Sequence, residues 1–155
     1  MDDHHKPRIS GLHHLKIAVS NLQDSLDWYA KVFGAIRRPE YDHVDRGGNL
    51  FAVLVAIPGL DTMIEFRLAP RIAAGLRGFD PIVFSTEMRD DLVRWQSHLD
   101  ALGIENSGLI YGIVGWTLIW RDPDGLSVRL YSEEEHELDM EHADIGNPWL
   151  RYPDA

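Results

Sequence analysis

Alternating apolar and polar residues mark the first ordered segment of the chain. Leu15, Ile17 and Val19 fall on one face of an extended segment, and His14 and Lys16 fall on the other. This two-residue period is typical of a half-buried β-strand. The segment is therefore predicted to be a strand with an apolar face toward the protein core and a polar face that includes a histidine and a lysine.

A helical period follows this strand. Apolar residues recur at three- and four-residue spacing from Leu22 to Phe33, which predicts an amphipathic helix. Ser20 or Asn21 is placed to cap the first turn, and Gly34 is placed to end the helix.

The same order of elements occurs twice along the chain. Strand-like stretches follow the first helix at about 36–41, 49–57 and 62–68. A second series then comprises a strand at about 82–85, a helix at about 92–102, and strands near 107–111, 116–121 and 126–131. Two βαβββ units about 67 residues apart predict an α+β fold made by internal duplication. The alternative is one irregular α+β sheet.

The duplication sets the expected domain organisation. A polar lead covers residues 1–10, and a single domain covers 11–132. Its first module spans about 11–70 and its second about 78–132. Residues 133–155 form an acidic C-terminal extension.

Composition excludes several functional classes. Fifteen Lys and Arg face 25 Asp and Glu, a net charge of −10, which disfavours nucleic acid and anionic membranes as partners. The absence of cysteine excludes disulfides and thiolate chemistry. No apolar run reaches the ~18 residues of a membrane span, and the N-terminus does not resemble a signal peptide. A soluble, cytoplasmic protein is expected.

The negative charge is concentrated near the C-terminus. Residues 133–144 contain seven carboxylates and no Lys or Arg, and the remaining residues carry a net charge of only −3. A short helix is predicted between Glu133 and His142. The extension has three possible roles: it covers a cavity, contacts a second subunit, or is simply solvated.

Two motifs resemble the vicinal oxygen chelate superfamily. The first runs from His13 to Leu22, with Trp28 following, and the second runs from Trp120 to Leu130 through a Asp-Pro-Asp-Gly turn. That superfamily includes glyoxalase I, extradiol dioxygenases, fosfomycin-resistance proteins and bleomycin-binding proteins. The resemblance implies that two tandem βαβββ modules form a curved mixed sheet around a small-molecule cavity. It also implies a homodimer.

The resemblance further implies four metal-ligand positions, which align with His14, Glu65, Pro81 and Arg129. Pro81 has no donor atom and Arg129 is a fixed cation, whereas a catalytic site normally has three protein ligands. No cofactor and no bound metal are therefore expected. A divalent metal on His14, Glu65 and Asp80 is the alternative, if the alignment is displaced by one residue.

Strand alternation selects the side chains that should face the cavity. In each strand the apolar set should pack under a helix, so the opposite set faces the ligand. That set contains His14, Lys16, Glu65, Arg67, Ser127, Arg129 and Tyr131. Phe51, Tyr111, Trp116 and Trp120 are candidates for an aromatic wall, with core packing or a dimer contact as the alternative for each.

The predicted chemistry needs three of these residues. Arg129 is expected to pair with Glu65 in the empty cavity and to bind an anionic or enolate-like oxygen of the ligand. His14 is expected to act as general acid or base. Substrate binding is assigned to Lys16, Arg67, Ser127, Tyr131, Trp116 and Trp120.

The predicted function is an enzyme of isomerase, lyase or cyclase type, which transfers a proton on a small anionic molecule without a metal. Two alternatives remain open. One is a non-catalytic small-molecule binder of the bleomycin-binding type, and the other is a metal-dependent enzyme of glyoxalase or dioxygenase type. The simplest reading of Arg129 and Glu65 is a structural salt bridge.

Overall fold

The computed structural model of the chain describes residues 6–152. Within this range the chain forms short strands, three α-helices and two 3-10 helices, at Pro39–Tyr41 and Pro148–Leu150. The longer elements, in chain order, are β1 (His14–Val19), α1 (Leu22–Phe33), β2 (Ile36–Arg37), β3 (His43–Val44), β4 (Leu50–Ala56), β5 (Met63–Leu68), α2 (Pro70–Gly75), β6 (Val83–Thr86), α3 (Arg89–Ala101), β7 (Ile110–Tyr111), β8 (Trp116–Arg121) and β9 (Ser127–Ser132).

The strands make two sheets of related topology. The first sheet has the order β1-β5-β4-β2, with β3 also paired to β4, and the second has the order β6-β9-β8-β7. In each sheet the opening strand pairs in parallel with the closing strand, and the remaining pairs are antiparallel. This repetition confirms the predicted α+β fold of two duplicated modules.

Several local predictions were wrong. The stretch 36–41 is a strand for only two residues, because Pro39 has no N–H for the ladder and opens a 3-10 helix. Strand β3 and helix α2 were not predicted, since elements of two and six residues are too short for a periodic signal. The helix expected between Glu133 and His142 does not form, and this segment follows an irregular path with turns.

Helix α1 has the predicted ends. The backbone N–H of Asp24 donates to Asn21 Oδ1 at 3.0 Å, so Asn21 is the N-cap. Gly34 ends the helix with a φ of +68°, a left-handed conformation that favours glycine.

Helix α1 lies between the two modules. Its Tyr29 packs on Phe66 of the first sheet, while its Phe33 contacts Trp95 of α3 and Trp120 of the second sheet. The Tyr29 hydroxyl also donates a hydrogen bond of 3.0 Å to Asp122 in the β8–β9 turn. The modules therefore meet through their helix-bearing sides, and the helix-free face of each sheet is turned away from the other module.

No helix within residues 6–152 has both the length and the apolarity that a membrane crossing requires.

Candidate functional site

A buried carboxylate lies at the centre of the helix-free face of the first sheet. The Glu65 side chain is 1% exposed, and Arg67 Nε donates to its Oε2 at 3.0 Å. Lys16 Nζ lies 3.6 Å from the same oxygen. The ring nitrogens His43 Nδ1 and His14 Nε2 lie 3.4 and 3.8 Å from Oε1. We call these five residues the Glu65 cluster.

The register of the first sheet assembles the Glu65 cluster. The parallel pairing of β1 with β5 places Lys16 directly opposite Glu65, and His14 and Arg67 are two residues away on the same face. Strand β3 adds His43, which pairs with Ala52 of β4. Strand alternation therefore correctly predicts that His14, Lys16, Glu65 and Arg67 share one face.

Positive charge exceeds negative charge in this cluster. Burial alone would raise the pKa of Glu65, but the hydrogen bond and charge of Arg67, with Lys16 and His43, outweigh burial and lower it. Glu65 is thus a carboxylate at neutral pH, facing two fixed cations and two imidazoles. The Lys16 side chain is 52% exposed, and the other three basic side chains are partly exposed, so a ligand can reach them.

An aromatic side chain borders the cluster. The Arg67 guanidinium lies over the Phe51 ring at 4.9 Å from its centroid, and the His43 ring stacks on Phe51 with 5.8 Å between the ring centroids. Phe51 therefore contacts two of the basic groups, Arg67 by a cation–π contact and His43 by ring stacking.

Arg129 does not pair with Glu65. Arg129 Nε instead lies 2.6 Å from Asp80 Oδ2, and both side chains are largely buried on the second sheet. Within residues 6–152, no hydrogen bond or salt bridge joins this pair to the Glu65 cluster. The predicted Arg129–Glu65 contact was wrong because the two modules meet through their helices, which separates their helix-free faces.

The two tryptophans assigned to substrate binding lie on the other face of β8. Trp120 is fully buried against α1 and α3, and Trp116 packs at the edge of the same core. Both share the strand face of Leu118, whereas Thr117 and Ile119 lie opposite Tyr131 and Arg129 on the helix-free face. The two-residue period of β8 already places Trp116 and Trp120 on the face of Leu118, so the sequence could have predicted their position.

Ser127 and Tyr131 of β9 lie on the helix-free face of the second module but differ in their exposure to solvent. Ser127 is buried at the end of β9, and its backbone N–H donates to Phe79. Tyr131 is partly exposed and lines a pocket with Arg129 and Tyr111.

The C-terminal extension is docked on the second module. Backbone N–H groups of His136, Asp139 and Asp144 donate to carbonyls of the β7–β8 hairpin, each at 2.9 Å. The His136 ring stacks on Tyr111 at 4.3 Å, and the Arg121 guanidinium lies over Trp149 at 5.0 Å. Of the three roles considered, these contacts favour a cover over the second module's own face.

Tyr152, near the end of this extension, contacts the Arg129–Asp80 pair. The pKa of Tyr152 is raised, chiefly because its hydroxyl interacts with the Asp80 carboxylate, and its ring packs on Phe79 at 5.7 Å. Asp80 is therefore committed to Arg129 and Tyr152. A His14–Glu65–Asp80 ligand set does not form within the chain.

The four family metal positions do not fit a divalent cation. Arg67 and Lys16 already occupy one oxygen of Glu65, and a metal there would meet two fixed positive charges. Pro81 has no donor atom and Arg129 is itself a cation. In the part of the chain that the structure describes, no three His, Asp or Glu side chains are arranged to hold a metal ion.

The sequence did not predict the position of His43, the pairing of Asp80 with Arg129 or the role of the C-terminal extension. His43 lies on a two-residue strand, and Asp80 lies in the segment before β6, so neither position has a periodic signal. The covering role of the extension was only one of three possible roles, because an irregular segment has no periodic pattern that would show what it packs against.

A family model matches most of the chain. The model of the Glyoxalase/Bleomycin resistance protein/Dioxygenase superfamily matches residues 11–130. The chain belongs to this superfamily. The match ends just before the C-terminal extension, which is thus an addition to the superfamily domain. No curated protein matches the chain in sequence.

Solved structures of superfamily members share the fold at low sequence identity. TnmS3, an antibiotic binding protein from Streptomyces sp. CB03234, is 22% identical with a TM-score of 0.65, over 82% of this chain and 98% of that one. Fosfomycin resistance protein FosX from Listeria monocytogenes, in complex with Mn(II) and 1S,2S-dihydroxypropylphosphonic acid, is 20% identical with a TM-score of 0.62, over 80% and 90%. Lactoylglutathione lyase from Agrobacterium tumefaciens is 17% identical with a TM-score of 0.60, over 83% and 96%.

Proposed function

We propose that the chain binds a small oxygenated anion at the Glu65 cluster and transfers a proton on it without a resident metal. The excess of basic groups around one buried carboxylate is the observation that carries this proposal. These groups lie on an exposed face, so an anion can join them without displacing the core. The reaction class is that of an isomerase, lyase or cyclase.

Each residue of the cluster has a separate task in the proposal. Lys16 and Arg67 bind the anionic oxygen, because their charges exceed the single charge of Glu65. Glu65 orients both side chains through its salt bridges with them. His14 exchanges the proton, since imidazole takes up and releases protons near neutral pH.

Arg129 enters this proposal through a second copy of the chain. Within one chain it lies on the helix-free face of the second sheet, paired with Asp80. We therefore include a homodimer in the proposal, in which the second module of one protomer, together with the extension docked on it, covers the first module of its partner. Light scattering after gel filtration tests this part, with twice the 17.7 kDa of one chain as the expected mass.

Binding without chemistry is the second candidate. One structural neighbour is an antibiotic binding protein, and another is a fosfomycin resistance protein in complex with Mn(II), a metal ion that the residues of this chain do not fit. If the Glu65 cluster only holds its ligand, the molecule is returned unchanged.

Proton NMR in D2O with a panel of small 2-oxo acids, 2-hydroxy acids and phosphonates separates these functions. Line broadening reports binding, and loss of a C–H signal reports proton exchange at carbon. For an enzyme we expect both with the unaltered chain. His14→Gln should keep binding and abolish exchange, whereas Lys16→Gln and Arg67→Gln should each weaken binding by about tenfold.

His142→Gln is the matched control, because this histidine is 71% exposed on the C-terminal extension. It should leave both readouts unchanged. Binding without exchange would replace the enzyme by the binder, and neither readout with any probe would refute both. Metal analysis of protein purified without chelator completes the test: a near-stoichiometric transition metal would overturn the metal-free mechanism.

A further inference from the structure

A pocket lies between the two modules, on the side that carries the helices and away from both helix-free faces. Its volume is about 150 Å³. The first module supplies Phe33 at the end of α1 and the β4–β5 turn, residues 57–60. The second module supplies Phe84 and Ser85 of β6 and Trp95 of α3. A molecule bound here would contact both modules.

Three aromatic rings form the apolar part of this pocket. The Phe33 ring centroid lies 5.9 Å from that of Phe84 and 5.4 Å from that of Trp95. All three side chains pack on the core but are only partly buried, and each borders the pocket. Because an apolar cavity of about 150 Å³ accepts benzene, the pocket has room for one aromatic ring of a ligand.

The wall supplied by the first module is a turn with a fixed backbone. The N–H of Leu60 donates to the carbonyl of Ile57 at 3.0 Å, and Pro58 and Gly59 occupy the two central positions. The φ of Gly59 is +89°. Proline followed by a glycine of positive φ is the pattern of a type II turn. The wall is therefore formed before a ligand binds, which lowers the entropic cost of binding.

Strand β6 places unpaired backbone groups beside the aromatic rings. Among the described strands, β6 pairs only with β9 and forms the outer edge of the second sheet. The Thr86 carbonyl accepts the N–H of Glu133 on the β9 side at 2.7 Å, and the backbone groups of successive strand residues point to opposite sides. The N–H and C=O of Ser85 therefore point to the open edge, where neither has a hydrogen-bond partner within residues 6–152. Because Phe84 and Ser85 both line the pocket, the pocket reaches this edge.

The charges around the pocket favour a neutral ligand. In the part of the chain that the structure describes, no charged side chain lines the pocket. The Ser85 hydroxyl donates to Glu133 at 2.9 Å, which fixes a carboxylate beside Ser85. An anionic ligand would meet this negative charge without a cation in the lining to offset it.

We propose that the junction between the modules is a binding site for a neutral molecule with one aromatic ring and one amide group. The ring packs against Phe33, Phe84 and Trp95. The amide pairs with the N–H and C=O of Ser85, because it carries a donor and an acceptor and no charge. The proposal does not depend on the Glu65 cluster or on the reaction proposed there.

Isothermal titration calorimetry with benzamide tests the site. We expect saturable binding to the full chain. Acetamide lacks the ring, and benzoate has the shape of benzamide with a negative charge and no N–H donor. Each of them should bind at least about tenfold more weakly than benzamide.

Two proline variants test the open edge of β6. Ser85→Pro removes the N–H that faces the ligand, at a position where proline does not break the pairing with β9. It should weaken benzamide binding by about tenfold. Val83→Pro is the matched control, because the N–H of Val83 points to the same edge but Val83 does not line the pocket. It should change the affinity by less than about twofold.

NMR of the unaltered, 15N-labelled chain locates the ligand without any substitution. Benzamide should shift the signals of the Ser85 and Gly59 amides and of the Trp95 indole, and it should leave the Lys16 and Tyr131 amides unchanged. This measurement decides the location even if Ser85→Pro does not fold, which circular dichroism shows.

The outcomes separate this site from the proposed function. Shifts centred on Lys16 or Tyr131 would place the ligand on a helix-free face and overturn the inference, as would equal effects of the two proline variants in folded protein. Absence of saturable benzamide binding would also overturn it. Binding at Ser85 and Trp95, in a chain without proton exchange on any probe acid, would support this site and refute the proposed reaction.

Discussion

The carboxyl group of Asp122 makes the stability of the fold depend on pH. Asp122 is buried in the β8–β9 turn, where its Oδ1 accepts the N–H groups of Asp124 and Leu126 and its Oδ2 accepts the Tyr29 hydroxyl. Burial raises the pKa of Asp122 from 3.8 to about 6, although these hydrogen bonds oppose the change. The folded protein therefore binds this proton more tightly than the unfolded chain does.

The sign and size of the effect follow from this difference in pKa. Because the folded-state pKa is raised, the stabilising contribution is fully present below pH ~3.8 and is lost as the pH rises through about 6. At 1.36 kcal/mol for each pH unit, the loss is about 3 kcal/mol. Other carboxyl groups, such as Glu65 with its lowered pKa, act in the opposite direction. The effect of Asp122 therefore appears as a difference between variants.

Asp122→Asn isolates this contribution. The asparagine oxygen keeps both backbone hydrogen bonds, and its amide can donate to the Tyr29 oxygen, so the variant resembles the protonated acid. Urea denaturation followed by tryptophan fluorescence gives the free energy of unfolding of both proteins from pH 4 to pH 7. The variant should gain about 2 kcal/mol relative to the unaltered chain between pH 4 and pH 7, because part of the effect is already lost at pH 4.

An exposed carboxylate provides the control for this experiment. The Asp90 side chain is 77% exposed, and Asp90→Asn should differ from the unaltered chain by less than about 0.5 kcal/mol throughout. If the Asp122→Asn difference is also constant over the pH range, the burial of this carboxyl group does not govern its protonation, and the reasoning is refuted.

Three further substitutions test other contacts. Gly112→Ala should lower the free energy of unfolding by about 1–3 kcal/mol in urea, because its Cβ would lie 2.8 Å from the Tyr131 hydroxyl and from a backbone oxygen; an unchanged value would mean that the hairpin adapts. Trp120→Phe should cost less than the ~3–5 kcal/mol of a change to alanine, since Nε1 has no hydrogen-bond partner within residues 6–152. Glu65→Gln should destabilise the protein by about 1–3 kcal/mol at pH 7 and by less at pH 4, because Arg67 loses a charged acceptor; equal losses at both pH values would contradict this.

Strand alternation predicted which side chains share the helix-free face of the first module. His14, Lys16, Glu65 and Arg67 lie on two long, adjacent strands, and the two-residue period assigns a face to each of them without knowledge of the partner strand. His43 could not be found in this way, because its strand has two residues and its pairing to β4 depends on the intervening turn.

The relation between the modules was beyond the reach of periodicity. A strand pattern shows which side chains share a face, but not which face of another sheet it meets. That relation depends on side chains that fit between modules, such as Phe33 against Trp95 and Trp120, and on the hydrogen bond from Tyr29 to Asp122. The expected Arg129–Glu65 contact needed the opposite arrangement.

The docked C-terminal extension also has a consequence for the handling of this protein. Strand β7 is the outer strand of the second sheet, and the extension takes up the backbone carbonyls of Tyr111, Ile113 and Val114 beside it. An open sheet edge is a template for pairing with other chains. A chain that ends after β9, at residue 132, would expose this edge and is expected to self-associate. We therefore expect the extension to protect the protein against aggregation.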